Sequence, residues 1–256
     1  MRLVFVRHGE PDYEHDCLTE NGRVQAKSTA VRLAKEKFSA IYSSPMGRAR
    51  ETASYTAQGR GLDIKILDFM HEIDWGDVRD AAGSDGAANN AGATGVDVKS
   101  GSAQSEPKLE YDGHPWILGY KLLTEEPEYI GSPDWRNHRY FKNNICTQYY
   151  EKISKKFDEF LLGYGLRRKN NLYLCEKKCD ETIALFAHGG SGSIMLSHVL
   201  NFPFTTVLMT TPFGVCSITI IEFGVDEGKL TIPRLELFND MNHIEKFKKE
   251  EIKFEK

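Results

Sequence analysis

Short hydrophobic runs alternate along the chain with segments in which hydrophobic residues recur at helical spacing. The first run, residues 3–6, is β-branched and aromatic and ends abruptly at charged residues, which predicts a buried strand. Similar runs predict strands at residues 40–44, 64–67, 182–187, 216–223 and 230–238. Helices are predicted after Thr19 as N-cap, over residues 46–58 and over residues 190–200. The first of these helices is predicted to bury one apolar face, made of Val24, Val31, Ala34 and Phe38.

The alternation of strands and helices is typical of a parallel sheet with helices on both faces. The predicted fold class is therefore α/β, a three-layer α/β/α arrangement with a mostly parallel central sheet. The last two strands are joined near residues 226–228, where Asp, Glu and Gly favour a turn. They predict a hairpin that adds an antiparallel edge to the sheet.

The middle of the chain departs from this alternation. Residues 81–105 comprise 25 residues, of which 16 are Ala, Gly or Ser, so this segment buries too little apolar surface to offset its ordering entropy and predicts a flexible loop. Beyond residue 109 the composition becomes aromatic and partly basic, and an amphipathic helix is predicted from Ile145. We interpret residues 81–171 as an inserted loop and helical, aromatic cap within one domain that spans residues 1–256.

Two of the predicted strands end in the same way, with a histidine followed by glycine. His8-Gly9 follows the first strand and His188-Gly189 follows the strand at residues 182–187. Ligands of open α/β sheets bind outside the carboxyl ends of the strands, so two central parallel strands would bring both histidines to one site. Arg7 and Arg48 lie at the same predicted edge. Two guanidinium groups beside two imidazoles suit a dianionic phosphoryl group, which arginine binds bidentately.

Composition narrows the classes of partner and compartment. The net charge of −4 over 256 residues argues against broad nucleic-acid binding, which normally needs a basic surface. The apolar run near the N-terminus is too short for a signal peptide, and no segment is long enough to span a membrane, so we expect a cytoplasmic protein. Its five scattered cysteines fit reduced thiols. Cys175 and Cys179 lack a second Cys/His pair with zinc spacing, and no metal or other cofactor is expected.

Several motifs, taken together and in order, resemble those of the histidine phosphatase superfamily, also called the phosphoglycerate mutase-like family. They are Arg-His-Gly-Glu at residues 7–10, Leu-Thr-Glu-Asn-Gly-Arg at 18–23, Tyr-Ser-Ser-Pro-Met-Gly-Arg-Ala-Arg-Glu-Thr-Ala at 42–53, Glu-Ile-Asp-Trp-Gly at 72–76 and Ala-His-Gly-Gly at 187–190. The resemblance covers roughly residues 1–80 and 180–200. It implies a metal-free enzyme with the three-layer fold predicted above.

The resemblance also implies a role for each matching residue. His8 is expected to be the nucleophile that becomes phosphorylated, with its other ring nitrogen donating to a backbone carbonyl. Arg7, Arg48 and His188 are expected to complete the phosphate pocket, and Gly189 to add a backbone N–H. Glu72 is expected to protonate the leaving group, which requires a raised pKa. By itself Glu72 would be interpreted as a surface carboxylate.

The family contains both phosphatases and mutases, and the sequence favours a phosphatase of small phosphomonoesters. Mutases usually carry a longer segment after the catalytic histidine and an asparagine where this chain has Gly190. A phosphoglycerate mutase and a non-catalytic phospholigand-binding module remain the alternatives, and a phosphoprotein substrate is not excluded. Within the predicted cap, the candidate substrate contacts are His114, Trp116, Arg136, His138 and Arg139. The oligomeric state is not predicted.

Overall fold

The computed structural model of the protein describes residues 1–81, 109–129 and 131–244. Its strands in these ranges are β1 Arg2–Arg7, β2 Pro11–Asp12, β3 Cys17–Leu18, β4 Phe38–Ser43, β5 Ile64–Ile66, β6 Leu166–Lys169, β7 Leu172–Cys175, β8 Thr182–Ala187, β9 Ile218–Glu222, β10 Leu230–Thr231 and β11 Arg234–Asp240. Its α-helices there are α1 Glu20–Arg32, α2 Gly47–Ala57, α3 Val78–Ala81, α4 Pro115–Glu125, α5 Ile145–Gly163, α6 Gly189–Leu200 and α7 Phe204–Thr210. Short 3-10 helices cover Asp68–Met70, Glu110–Gly113, Pro127–Tyr129 and Pro133–Asn137.

The central sheet has the predicted, mostly parallel order. Across the described residues it contains six strands in the order β11-β9-β1-β8-β4-β5. β1, β8, β4 and β5 are parallel, while β9 and β11 form the antiparallel edge expected of the late hairpin. The α/β fold class is therefore confirmed.

Alternate residues of β1 face two hydrophobic cores on opposite sides of the sheet, as its period of two requires. Leu3 and Phe5 belong to the core formed with α5, α6 and α7, whereas Val4 and Val6 pack in a core that also contains Leu33 and Ala53. Because both faces are covered, β1 is apolar throughout rather than alternating, which explains the hydrophobic run read from the sequence.

The apolar face predicted for α1 is wrong, although its start is confirmed. Thr19 is the N-cap, and its hydroxyl accepts a hydrogen bond from the Gly22 N–H. Val24 and Val31, however, are 59% and 77% exposed. The buried residues of α1 are instead small or polar, namely Gly22, Gln25, Ala26 and Thr29. The Gln25 side chain accepts from the Glu10 N–H, so a polar contact with the segment after β1 orients this helix.

The predicted strand over residues 230–238 divides into two. β10 joins β7 and β6 in a separate three-stranded sheet, as far as the described chain shows, and β11 alone pairs with β9. Pro233 lies between them and has no N–H to donate to a ladder, which accounts for the interruption. The β6–β7 hairpin was not predicted. Its four-residue strands are too short to show a clear alternation.

Aromatic residues of the predicted cap are part of the main core. Trp135, Tyr140 and Phe141 are buried in the cluster that also contains Phe5, and the Trp135 ring lies 5.0 Å from that of Phe204 on α7. The flexible loop predicted for residues 81–105 falls outside the described residues, apart from Ala81. None of the helices in the described ranges combines the length and hydrophobicity needed to cross a bilayer. All five cysteines lie within these ranges and are free thiols.

Candidate active site

The two histidines meet because their strands are neighbours. β1 and β8 pair in parallel with Arg7 opposite Ala187, so the residue after each strand emerges at the same edge. The His8 N–H donates to the Ala187 carbonyl at 3.0 Å, and the rings of His8 and His188 lie 5.1 Å apart. Both side chains are almost completely buried.

The His8 imidazole is held in one tautomer. Its Nδ1 lies 2.7 Å from the Gly9 carbonyl oxygen. A carbonyl only accepts, so Nδ1 carries the hydrogen and Nε2 keeps its lone pair. Burial, with the positive charge of Arg7 next in importance, lowers the pKa of His8 to about 3. The ring is therefore neutral near pH 7, and Nε2 is available as a nucleophile.

His188 presents a hydrogen-bond donor to the same space. Its Nε2 lies 2.7 Å from Ser44 Oγ, which itself accepts from the Met46 N–H. We assign the Ser44 hydroxyl as the donor to Nε2, which places the hydrogen of the neutral ring on Nδ1. Burial, followed by the charges of neighbouring groups, lowers the pKa of His188 to about 2. Its Nδ1 is buried and has no hydrogen-bond partner within the described chain.

Hydrogen bonds fix the guanidinium groups of Arg7 and Arg48 in the site. Arg7 donates from Nη1 to the Phe213 carbonyl at 2.5 Å. Arg48 donates from Nη1 to Asp16 Oδ1 at 2.6 Å, and its guanidinium lies 5.3 Å from the Tyr13 ring centre. The Nε of each arginine is buried, and neither Nε has a partner among the residues described.

Glu72 is positioned by backbone N–H groups. Its Oε1 accepts from the N–H groups of Ile73 and Gly190, each at 3.0 Å. Burial raises the pKa of Glu72 above its ordinary value, and this effect exceeds the lowering by the hydrogen bonds and by Arg7. A protonated carboxyl group beside His8 fits a proton donor.

His8, Glu72 and His188 each offer a ligand atom, and these atoms lie within 4.8 Å of one another. Such a group has the residue types of a metal site. The charges of Arg7 and Arg48 act on all three side chains, however, and they oppose a cation while favouring an anion. The arrangement is thus suited to a phosphoryl group.

Comparison with known proteins agrees with this geometry. Residues 3–108 match the family model for the histidine phosphatase superfamily, branch 1. This part of the chain is therefore similar to that superfamily. The motifs around His8 and His188, which are far apart in the sequence, converge at one edge of the sheet.

Relatives of known name match this chain over part of their length. Phosphoserine phosphatase 1 of Hydrogenobacter thermophilus is 34% identical over 85 residues, which are 30% of this chain and 40% of the relative. Glucosyl-3-phosphoglycerate phosphatase of Mycobacterium tuberculosis is 28% identical over 145 residues, 52% of this chain and 65% of the relative. The chain thus spans less than two thirds of the length of these two relatives.

A solved structure shares the fold over almost the whole chain. Phosphoserine phosphatase from Entamoeba histolytica, in complex with 3-phosphoglyceric acid, aligns with a TM-score of 0.55 at 20% identity. The alignment covers 95% of this chain and 98% of that one. At this identity the likeness concerns the fold alone.

A cavity of about 440 Å³ opens onto the candidate site. Arg7, Glu72, Gly189 and Gly190 are part of its lining. Gly189 begins α6, whose N-terminus carries a partial positive charge that favours an anion. The remaining lining is largely aromatic or aliphatic: Tyr13, Trp75, Trp116, Leu208, Pro212 and Phe213, with Ser193 and Thr211.

The cap residues proposed as substrate contacts have different positions. Trp116 lines the cavity, and the His114 ring packs 5.6 Å from it. The other three face glutamates: Arg136 pairs with Glu151, while His138 and Arg139 both contact Glu126. These three are not among the described residues that line the cavity, and contact with substrate stays a prediction for the cap residues.

Four residues at the site were not singled out from the sequence. They are Tyr13, Asp16, Ser44 and Trp75. The place of Ser44 in the site could have been predicted from the sequence. Ser44 directly follows β4, which is parallel to β8, so it lies at the same edge of the sheet as His188. Asp16 lies in the turn between β2 and β3, with a positive φ of 47°, and no local pattern indicates its contact with Arg48.

Proposed function

We propose that the chain is a phosphatase that hydrolyses small phosphomonoesters, without a metal ion, through a phosphohistidine intermediate on His8. The main support is that three buried donors surround His8 and find no partner in the described parts of the chain: Arg7 Nε, Arg48 Nε and His188 Nδ1. Buried donors are normally satisfied, so three together indicate an anionic ligand with several acceptor oxygens. A phosphoryl group provides them.

In the first step, His8 Nε2 attacks phosphorus as the bond to the leaving-group oxygen breaks. The guanidiniums of Arg7 and Arg48 and the His188 Nδ1–H stabilise the charge that spreads over the equatorial oxygens, with the Gly189 N–H at the start of α6 as a further donor. Glu72 gives its proton to the leaving oxygen. The leaving group departs into the cavity, whose wall includes Glu72.

In the second step, water attacks the phosphohistidine. Glu72, now a carboxylate, takes a proton from this water, the P–N bond breaks, and phosphate is released. His8 Nε2 regains its lone pair, and the Nδ1 bond to the Gly9 carbonyl keeps the ring in place throughout.

The choice of a phosphatase over a mutase is supported by the surroundings of Gly190. A Cβ at this position would lie 2.6 Å from Glu72 Oε1 and 2.4 Å from Ile73 Cγ1. The asparagine usual in mutases therefore does not fit beside Glu72 in this geometry. The names of the matched relatives support phosphoryl transfer on small metabolites, but they include phosphatases and probable phosphoglycerate mutases and do not decide between the two. We keep the cytoplasm as the expected compartment, since five free thiols suit a reducing environment.

This function is tested by measuring the hydrolysis of p-nitrophenyl phosphate after exhaustive dialysis against a chelator. We expect activity to survive dialysis and to be inhibited by vanadate, which mimics the pentacoordinate phosphoryl group. Activity that disappears with the chelator and returns with a divalent ion would contradict the proposal. Conversion of 3-phosphoglycerate in the presence of 2,3-bisphosphoglycerate, with little release of phosphate, would favour a mutase.

A further inference from the structure

The cavity beside Glu72 places the leaving group of any substrate in a defined environment. Glu72 Oε1 is fixed by the N–H groups of Ile73 and Gly190, and Glu72 lines the cavity, so a leaving-group oxygen that it protonates lies beside the cavity. The rest of the leaving group then extends between six side chains, which we call the leaving-group pocket: Tyr13, Trp75, Trp116, Leu208, Pro212 and Phe213. A volume of about 440 Å³ is within the usual range for small-molecule sites.

The walls of the leaving-group pocket present aromatic surface that the core does not cover. Trp75 and Trp116 meet edge to face, with ring centres 5.9 Å apart and planes at 80°. The His114 ring packs 4.9 Å from Trp75, and burial lowers the pKa of His114, so it supports the pair as a neutral ring. Trp75 is 36% exposed and Tyr13 is 70% exposed. Exposed aromatic faces at a cavity mouth are suited to stacking on a flat apolar group.

The pocket offers no cation to a second anionic group of a substrate. Among the cavity-lining residues that the structure describes, Arg7 and Glu72 are the charged ones, and both are assigned to the phosphoryl transfer. Of the three hydroxyl side chains in this lining, Ser193 donates to the Gly189 carbonyl and Thr211 to the Val207 carbonyl, and the third belongs to the exposed Tyr13. A carboxylate in the pocket would therefore find no ion pair to offset the hydration that it loses.

We propose that the leaving-group pocket selects phosphomonoesters of uncharged aromatic alcohols over esters whose leaving group carries a carboxylate. This assignment rests on the proposed function, because it takes Glu72 as the proton donor to the leaving oxygen. It makes Trp116 and Trp75 the specificity-determining residues, whereas Arg7, Arg48 and His188 bind the phosphoryl group common to all substrates.

The test compares esters of similar chemical reactivity. 2-Naphthylmethyl phosphate, O-phosphoserine and ethyl phosphate are all esters of primary alcohols, so the basicity of the leaving group does not decide the order. We expect kcat/KM for the naphthylmethyl ester to exceed that for phosphoserine by about 100-fold, or about 2.7 kcal/mol. Equal rates, or a preference for phosphoserine, would overturn the pocket assignment and leave the phosphatase intact.

Substitutions on α4 test whether Trp116 determines the preference for the aromatic ester. We expect Trp116→Ala to lower the ratio of kcat/KM between the naphthylmethyl and ethyl esters about tenfold, and Trp116→Phe to restore part of it. Ile117→Ala is the matched control, since Ile117 is the next residue, is exposed and lies outside the cavity lining. A ratio that Trp116→Ala leaves unchanged, or that Ile117→Ala lowers equally, would overturn the assignment.

Measuring the binding of phosphonates that cannot be hydrolysed tests the selectivity of the pocket independently of the proposed phosphatase activity. Calorimetric titration of the wild-type chain compares 2-naphthylmethylphosphonate with 2-amino-3-phosphonopropionate, neither of which can be hydrolysed. We expect the aromatic phosphonate to bind at least about tenfold more tightly. Absence of turnover with every ester would contradict the proposed function, whereas equal or reversed phosphonate affinities would overturn the selectivity of the pocket.

Discussion

His8 and Glu72 take opposite protonation states because burial acts on groups of opposite charge type. Burial disfavours the charged form of each, which is the cation for His8 and the anion for Glu72. The pKa of His8 falls to about 3, and the pKa of Glu72 rises. A neutral nucleophile and a protonated acid therefore coexist over the same pH range, as phosphoryl transfer to an imidazole requires.

These shifts predict an activity that declines on the alkaline side. In kcat/KM, protonation of free His8 becomes limiting only below about pH 3, whereas loss of the Glu72 proton removes the acid as pH rises through its raised pKa. We expect Glu72→Gln to abolish this alkaline decline and to lower kcat/KM for an alkyl phosphate about 10²–10⁴-fold. The pH profiles of wild type and variant, corrected for ionisation of the substrate, check this.

The leaving group provides the control for Glu72. p-Nitrophenolate leaves without a proton, so Glu72→Gln should slow formation of the phosphoenzyme from p-nitrophenyl phosphate far less than from an ethyl ester. Equal losses for the two esters would mean that Glu72 does not act as the acid.

At the residue scale, positions could be predicted for reactive residues that directly follow a recognisable strand. His8 and His188 each follow a hydrophobic run and precede glycine, so their meeting could be inferred from parallel strands. The contact between Asp16 and Arg48 could not, since it depends on a turn with positive φ between two-residue strands. The sequence shows that residues 75 and 116 are tryptophans, but it does not predict the T-shaped contact between them, because that contact depends on tertiary packing.

At the scale of elements, α6 links the position of Glu72 to the end of β8. Glu72 Oε1 accepts a hydrogen bond directly from the backbone N–H of Gly190 in the first turn of α6. A Cβ on residue 190 would approach both Glu72 Oε1 and Ile73 Cγ1 below 3 Å. This close approach explains why glycine occupies the position.

Gly190→Ala is therefore expected to displace the Glu72 carboxyl group. We predict a fall in kcat of at least about tenfold, with a loss of about 1–3 kcal/mol in the free energy of unfolding. Gly163→Ala is the matched control, because Gly163 ends a helix and a Cβ there meets nothing within 4 Å. It should leave kcat unchanged. Steady-state kinetics and urea unfolding of both variants check this, and an unimpaired Gly190→Ala enzyme would argue against the assigned role of Glu72.

The buried residues of a helix or strand could be predicted from the hydrophobic pattern only where hydrophobic side chains form its packed face. β1 and β8 are buried on both faces, so their runs are continuous and their bounds were close to those observed. α1 packs through Gly22 and Ala26 and through a polar contact of Gln25, and its valines face solvent. A helix held by small residues and side chain–backbone hydrogen bonds has no apolar stripe from which its buried face can be read.

At the scale of the whole molecule, the parallel sheet creates the site by joining chain ends that are far apart in sequence. β1 and β8 are neighbours although about 175 residues separate them, and the long connection adds Trp135 and Phe141 to the core and Trp116 to the cavity. The three-layer fold could be predicted because strands and helices alternate. The packing of residues 109–144 could not be predicted, because no periodic pattern was identified there, unlike in the amphipathic helix that begins at Ile145.

The central claim is that His8 carries the phosphoryl group during turnover. The most direct measurement is to quench the wild-type and Glu72→Gln enzymes in alkali during hydrolysis of ³²P-labelled p-nitrophenyl phosphate and to map the labelled peptide. We predict acid-labile phosphohistidine on the peptide that contains His8, more of it in Glu72→Gln because dephosphorylation lacks its base, and none in His8→Ala. Label on His188, or continued turnover by His8→Ala, would contradict the account.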